Sequence, residues 1–270
     1  MSSVAAGLSA LDRLDRLARL DTPVHRVDPR AKVVTTLVFV VCVVSSGKYD
    51  LLGLLPFALF PVVLATEGGL PLRFLGRLLL IASPFALVMG AFNPVFDREV
   101  VAYIGSVPVT GGWVSYASIV ARFLLTVASA LVLTATTGFT GVCLALEKLK
   151  VPEALVTQLL LLYRYIFVLG DEAHRMGQAR RLRSFGRRGM GWRVYGQMLG
   201  QLLLRTFARA QRIYLAMKCR GFDGQIRMTR SLRFGTADLI FMLAWSAAFV
   251  LFRLVNVPLT LGHLLTGSAG

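Results

Sequence analysis

Residues 116–137 carry one charge, Arg122, in an otherwise uncharged and largely apolar run of 22 residues. As a helix rising ~1.5 Å per residue, such a run reaches about 33 Å, the thickness of a bilayer hydrocarbon core. A stretch of that kind limits the chain to a few architectures, because backbone polar groups in lipid must be satisfied within helices or closed barrels. Four further apolar runs have the same character. They cover 29–46 (its core at 33–46), 51–66 interrupted by Pro56 and Pro61, 78–92 containing Pro84, and 237–255. A hydrophobic fraction of 56% and a mean hydropathy of +0.66 exceed what soluble domains show. The reading is an all-α integral membrane protein of about five transmembrane helices plus two amphipathic cytoplasmic helices.

Between the fourth and fifth runs lies a different kind of sequence. Residues 172–233 hold fifteen of the chain's thirty lysines and arginines, with Asp223 the one acidic residue after Glu172. The net charge of +16 is therefore concentrated beside membrane spans, which marks a cytoplasmic segment and not a nucleic-acid surface. With residues 1–28 as a cytoplasmic, partly amphipathic lead-in, the domains are 1–28, spans one to four over 29–137, a membrane-apposed coupling region over 138–235, and the last span with an external tail over 236–270. Loops 47–50 and 93–113 then lie outside with few cations, and 67–77 and 138–235 lie inside a plasma membrane with most of them. The least obvious part is 151–170. It reads as a helix that begins at Pro152, packs low against the bundle and runs on into the basic segment. From Trp192 to Lys218, a stripe of Arg193, Gln197, Gln201, Arg205 and Arg209 predicts an amphipathic helix lying against the cytoplasmic ends of the spans.

The basic segment repeats a phrase. Shifted by 37 residues, Ala173, Arg175, Ala179, Arg183 and Phe185 fall on Ala210, Arg212, Ala216, Arg220 and Phe222. Arg175, Ala179 and Arg183, and in the second copy Arg212, Ala216 and Arg220, have i, i+4, i+8 spacing and so share one helix face. In each copy an arginine is followed by a small residue, Ser184 or Gly221, which permits a helix end and leaves the arginine at a tip. Basic amphipathic helices also bind anionic headgroups, but lipid binding alone does not require two copies matched at five positions. Two helices each presenting one arginine suit a two-lobed, acidic partner.

These residues carry a family resemblance. His25-Arg26-Val27-Asp28-Pro29-Arg30-Ala31-Lys32, Leu149-Lys150-Val151-Pro152 followed by Leu162-Tyr163-Arg164-Tyr165, and the triplets Leu182-Arg183-Ser184 and Cys219-Arg220-Gly221 resemble the transmembrane T component of energy-coupling-factor (ECF) transporters, most closely the cobalt-type member, CbiQ. The resemblance implies a non-catalytic subunit that transmits the motion of two ATP-binding-cassette ATPases to a separate cobalt-capturing membrane subunit. It implies ATPase coupling through Arg183 and Arg220 with Leu182, Ser184, Cys219 and Gly221. Arg175, Arg180 and Arg212 belong to the same helices, and Ala179-Arg180-Arg181 is a nearby alternative to the first triplet. The family triplets usually read Ala-Arg-Gly, and both differ here. A nickel or vitamin transporter of the same type, or a basic lipid-binding membrane protein without an ATPase partner, are the other readings.

No cofactor is expected: His25, His174 and His263 are scattered, Cys42, Cys143 and Cys219 form no motif, and the sequence has no phosphate-binding glycine loop. The topology makes a direct prediction. In a background lacking the three cysteines, Arg188→Cys in intact cells should resist a membrane-impermeant thiol reagent and react only after permeabilisation. Labelling of intact cells would overturn the orientation.

Overall fold

The computed structural model describes residues 2–47, 50–93, 100–104, 107–183, 191–224, 226 and 234–254. They form two compact units, Leu17–Gly138 with Leu232–Gly270, and Met1–Arg16 with Phe139–Ser231. In chain order the helices are α1 (Ser2–Leu17), α2 (Pro23–Arg26), α3 (Pro29–Val44), two short 3-10 helices (Leu52–Leu54 and Pro56–Ala58), α4 (Leu59–Glu67), α5 (Leu72–Gly90), α6 (Gly111–Lys148), α7 (Glu153–Arg183), α8 (Trp192–Cys219) and α9 (Thr236–Leu254). The units divide at Gly138, whose φ of 72° and ψ of 154° break α6 into arms at 111–137 and 139–148. The fold is that of an all-α membrane protein. Four helices, α5, α6, α7 and α9, are long and apolar enough to cross a bilayer, and a shorter apolar stretch covers Leu52–Glu67.

In the first unit, Asp28 starts α3 as its N-cap, its Oδ1 accepting from the Arg30 amide at 2.8 Å, and Pro29 occupies the first helical position. The α3 residue Phe39 is the hub of an aromatic cluster. Its ring lies 4.9 Å from Phe60, 5.2 Å from Phe249 and 6.0 Å from Phe57, centroid to centroid. All four are fully buried. Residues such as Leu37, Leu80, Ile81, Phe85, Ile240 and Leu254 are exposed on the protein surface, an apolar exterior suited to lipid. With lipid outside, the bundle gains nothing from moving apolar groups out of water, and interlocking contacts like these carry the packing energy.

The direction of the helices follows from their end contacts. The N-terminus of α3 meets that of α9 where the Asp28 amide donates to Asp238 Oδ1, and their C-terminal ends meet where Arg253 donates to the Ser45 carbonyl. These two helices are therefore parallel. The 111–137 arm runs opposite to them, with Thr136 beside Lys32 and Arg122 beside Gly47. Residue 137 and residue 236 consequently lie at the same end of the bundle, so 138–235 leaves and returns on one side. A crossing by α7 would require a second by α8, which carries five cations.

Three boundaries differ from the sequence reading. The third span begins at Leu72, so Arg73 and Arg77 sit in its first turns and not in the preceding loop; arginine is a good helix former and Pro71 sets the entry. The second span is built from two 3-10 helices and α4, with Pro56 and Pro61 both in first turns, where a missing amide hydrogen costs no helical bond. Within 93–113, expected as loop, Val100–Ile104 and Val107–Thr110 pair as an antiparallel hairpin with a shift in register after Val100. Its β-branched residues favour strand. Residue 255 and the external tail lie outside the described residues.

Replacing the hub tests this packing. Phe39→Ala should cost about 3–5 kcal/mol of stability in mixed micelles by cavity formation, whereas Leu80→Ala, at a site 71% exposed, should leave the unfolding midpoint nearly unchanged.

Candidate functional site

In the second unit the first copy of the repeated phrase is helical through Arg183, and the second through Cys219. α7 runs unbroken for 31 residues from Glu153, as one helix through the first arginine set, and α8 carries the second. The lead-in is also helical, as α1. The connection from α6 to α7 is tight. Val151 and Lys150 donate to the Leu146 and Glu147 carbonyls at 3.1 Å each, and Lys150 adopts φ 65°. This is a Schellman turn with lysine in the left-handed position that glycine usually fills. Pro152 then starts α7, and Phe139 stacks on Tyr163 with ring centroids 4.5 Å apart.

Glu172 joins α7 to α8. Its carboxylate accepts from Arg205 Nη1 at 2.6 Å and pairs with Arg209 at 3.8 Å. A second tie lies further along, where the Thr157 hydroxyl donates to the Gly224 carbonyl at 3.2 Å. From 172 to 157 the first helix runs down as the other chain runs up from 205 to 224, so the helices are antiparallel. The two arginine tips are thereby separated. Arg220 is four residues from the Gly224 tie, and Arg183 is 26 helical residues from Thr157, so the tips stand on the order of 20 Å or more apart.

The second tip has a defined end. Arg220 is the C-cap of α8, Gly221 has φ 79°, and the Gly221 and Phe222 amides donate to Lys218 and Met217 at 3.0 Å each. These are the two bonds of a Schellman motif, and they end the helix where the sequence placed the small residue. Arg175, Arg183, Arg212, Cys219, Arg220 and Gly221 are exposed, Leu182 is 81% exposed, and Arg180 is half-buried. The Arg212 Nε donates to its own helix at the Ala208 carbonyl, 3.2 Å away. Arg183 is the last described residue of α7; Ser184, Phe185, Arg187 and Arg188 lie outside the described residues, as do Arg227, Arg230 and Arg233.

The first unit holds a buried polar clamp that the sequence reading did not single out. Asp238 is 8% exposed and sits at the third position of α9. Its Oδ2 accepts from the Gly235 amide at 2.8 Å, as the reaching-back acid of a capping box does, while Oδ1 accepts from the Asp28 amide at 2.7 Å. Lys32, 3% exposed, donates to the Thr136 carbonyl at 3.1 Å. That carbonyl belongs to the last turn before the Gly138 break, where regular helical partners end and a cation meets the negative pole of the helix. The signal available in the sequence was an aspartate three residues after a glycine at the start of an apolar run.

His25 completes the clamp. Its Nε2 lies 3.0 Å from the Leu17 carbonyl and Nδ1 lies 2.7 Å from the Thr22 hydroxyl. A carbonyl only accepts, so Nε2 carries the proton and Nδ1 accepts from Thr22. Burial and then the Lys32 charge push the His25 pKa below its usual value. Among the described residues no group of three or more His, Cys, Asp or Glu side chains could hold a metal ion. A pH dependence follows. Because the native state favours neutral His25, its contribution is complete above the unfolded histidine pKa of about 6.5 and falls as the pH drops through the interval below it. The wild-type thermal midpoint should fall more steeply below pH 6.5 than that of His25→Gln, measured across pH 5–8.

The Cobalt transport protein family, CbiQ, matches residues 21–231, most of the chain. An uncharacterized protein of Methanocaldococcus jannaschii is 28% identical over 85% of this chain and 81% of its own. An energy-coupling factor transporter transmembrane protein, EcfT, from Limosilactobacillus fermentum is 28% identical over 78% of this chain and 84% of its own. A shorter match, 30% identical over 33% of each, is to a nickel permease of Lactiplantibacillus plantarum. The family match over 21–231 shows that this chain belongs to the CbiQ family, the cobalt-type transmembrane components of energy-coupling-factor transporters.

Proposed function

We propose that this chain couples the ATPases of an ECF-type importer to a separate membrane subunit that captures the substrate, cobalt ion. The observation that carries the reading is the pair of exposed arginines, Arg183 and Arg220, at opposite ends of two antiparallel helices. One socket is too small for both tips, so each arginine serves its own ATPase subunit, and Leu182, Ser184, Cys219 and Gly221 flank the contacts. When nucleotide draws two such subunits together, helices held at separate points convert closure into movement of the spans. In this reading 138–235 and the N-terminus face the cytoplasm, where ATP is.

The chain acts as the mechanical part and leaves metal selection to its partner. A positive field of the kind set up by its net charge of +16 repels divalent cations. The second reading is a nickel system, favoured by the match to a nickel permease. It keeps the same arginine contacts.

Truncating an arginine paired at such an interface typically costs about 2–5 kcal/mol. In proteoliposomes of the whole complex, Arg183→Ala and Arg220→Ala should each reduce ATP-dependent cobalt uptake tenfold or more while the chain stays folded. Lysine should restore uptake only in part, because it lacks the planar fork of donors. Wild-type uptake by both alanine variants would remove the coupling role.

A further inference from the structure

At the end of the bundle opposite Asp238, arginines from two helices converge on the C-terminal turn of α3. Arg253, in the last turn of α9, donates from Nη2 to the Ser45 carbonyl at 2.8 Å, and Arg122, in the 111–137 arm, donates from Nη2 to the Gly47 carbonyl. Ser45 is the C-cap of α3, so both guanidinium groups lie at the negative pole of that helix. This accounts for one donor on each. Guanidinium has five. The Arg122 Nε is buried with no hydrogen-bond partner, and neither arginine forms a salt bridge among the described residues. The nearby Asp50 carboxylate accepts from the Gly53 amide at 3.1 Å.

An apolar groove opens on α9 one residue from Arg253. About 380 Å³ in volume, it is lined by Leu55, Pro56, Ala58, Leu59, Val62 and Phe252, the last being the neighbour of Arg253. Val41, Val44, Leu251 and Leu254 on α3 and α9 are exposed around the same helix ends. Two cations that form no salt bridge among the described residues, set at a helix end with an open apolar groove at the same end of the bundle, match one ligand shape: a charged phosphate head on an acyl chain. Two guanidinium groups at one helix end also repel each other, and an anion bound by both offsets that cost.

We propose that Arg122 and Arg253 bind the phosphate of an anionic phospholipid, one of whose acyl chains lies in the groove beside Phe252. The net negative headgroup is selected because the site supplies two positive charges, while its nearby carboxylate, Asp50, is engaged by the Gly53 amide. The bound lipid then bridges α3, the 111–137 arm and α9 at this face, where side chains alone leave donors unused.

Native mass spectrometry of the full chain, delipidated in detergent and titrated with phosphatidylglycerol or phosphatidylcholine of matched chains, tests the assignment. One phosphatidylglycerol should be retained per chain, on the order of tenfold more tightly than phosphatidylcholine, and millimolar inorganic phosphate should not displace it. In Arg122→Gln/Arg253→Gln the preference should vanish. Val62→Trp, which fills the groove and leaves both arginines, should weaken both lipids. Equal retention of the two lipids by the wild type would overturn the site, with no need for a folded variant. So would displacement by inorganic phosphate, which would mark a free-anion site, or an undiminished preference in the double glutamine variant.

Discussion

The carboxylate of Asp238 is buried at a depth where a charge without partners is not tolerated, and the first unit is arranged to supply them. Its two oxygens accept from two backbone amides, Gly235 in its own cap and Asp28 in the cap of α3. One side chain thus satisfies donors at two helix N-termini and fixes those ends side by side. Leaving a buried backbone donor without its acceptor costs about 1–3 kcal/mol, enough to favour this register of the pair. Once α3 and α9 are parallel and in register, Phe39 and Phe249 meet, and the aromatic cluster closes around them. The cluster adds packing energy, while the clamp decides which faces can pack.

Lys32 extends the same logic to a third helix. It is held on the Thr136 carbonyl, two residues before the backbone leaves helical geometry at Gly138. The chain therefore departs from a fixed turn into the segment that carries the arginine helices. Within that segment the demands are different. Glu172 with Arg205 and Arg209 is a largely exposed contact on the arginine side, of a kind worth little by itself. It orients two long helices that have few other ties. On the proposed coupling, an antiparallel pair with a cation at each end would be held at two separate places.

Much of this was legible because membranes and helices impose simple periodicities. The runs at 116–137 and 237–255 declared themselves by length, and the Arg-Ala-Arg sets at i, i+4, i+8 declared two helices that α7 and α8 supply. The Gly221 end was legible too, since few residues tolerate a φ of 79°. What escaped depended on long-range pairing. Nothing local to Asp238 tells that it will meet an amide 210 residues away, and nothing near Glu172 distinguishes it from other helix-surface acids. The end of the fourth span at 137 was legible, but not that helix resumes beyond Gly138 as an arm reaching Lys148. Pro56 and Pro61 signalled an interruption but not that 3-10 turns would absorb it. The same was true of the 100–110 hairpin, whose strands are too short to outvote their glycine- and proline-rich surroundings.

The central claim is that the two arginine tips engage two separate ATPase subunits, and site-specific photo-crosslinking reads it directly. A photoreactive amino acid placed at position 182, and in a second protein at position 219, leaves both arginines in place. In membranes containing the whole transporter, each position should form a crosslink to an ATP-binding-cassette subunit, and a doubly substituted chain should capture two of them at once. Crosslinks from both positions to lipid alone, or to one and the same subunit copy, would contradict the account.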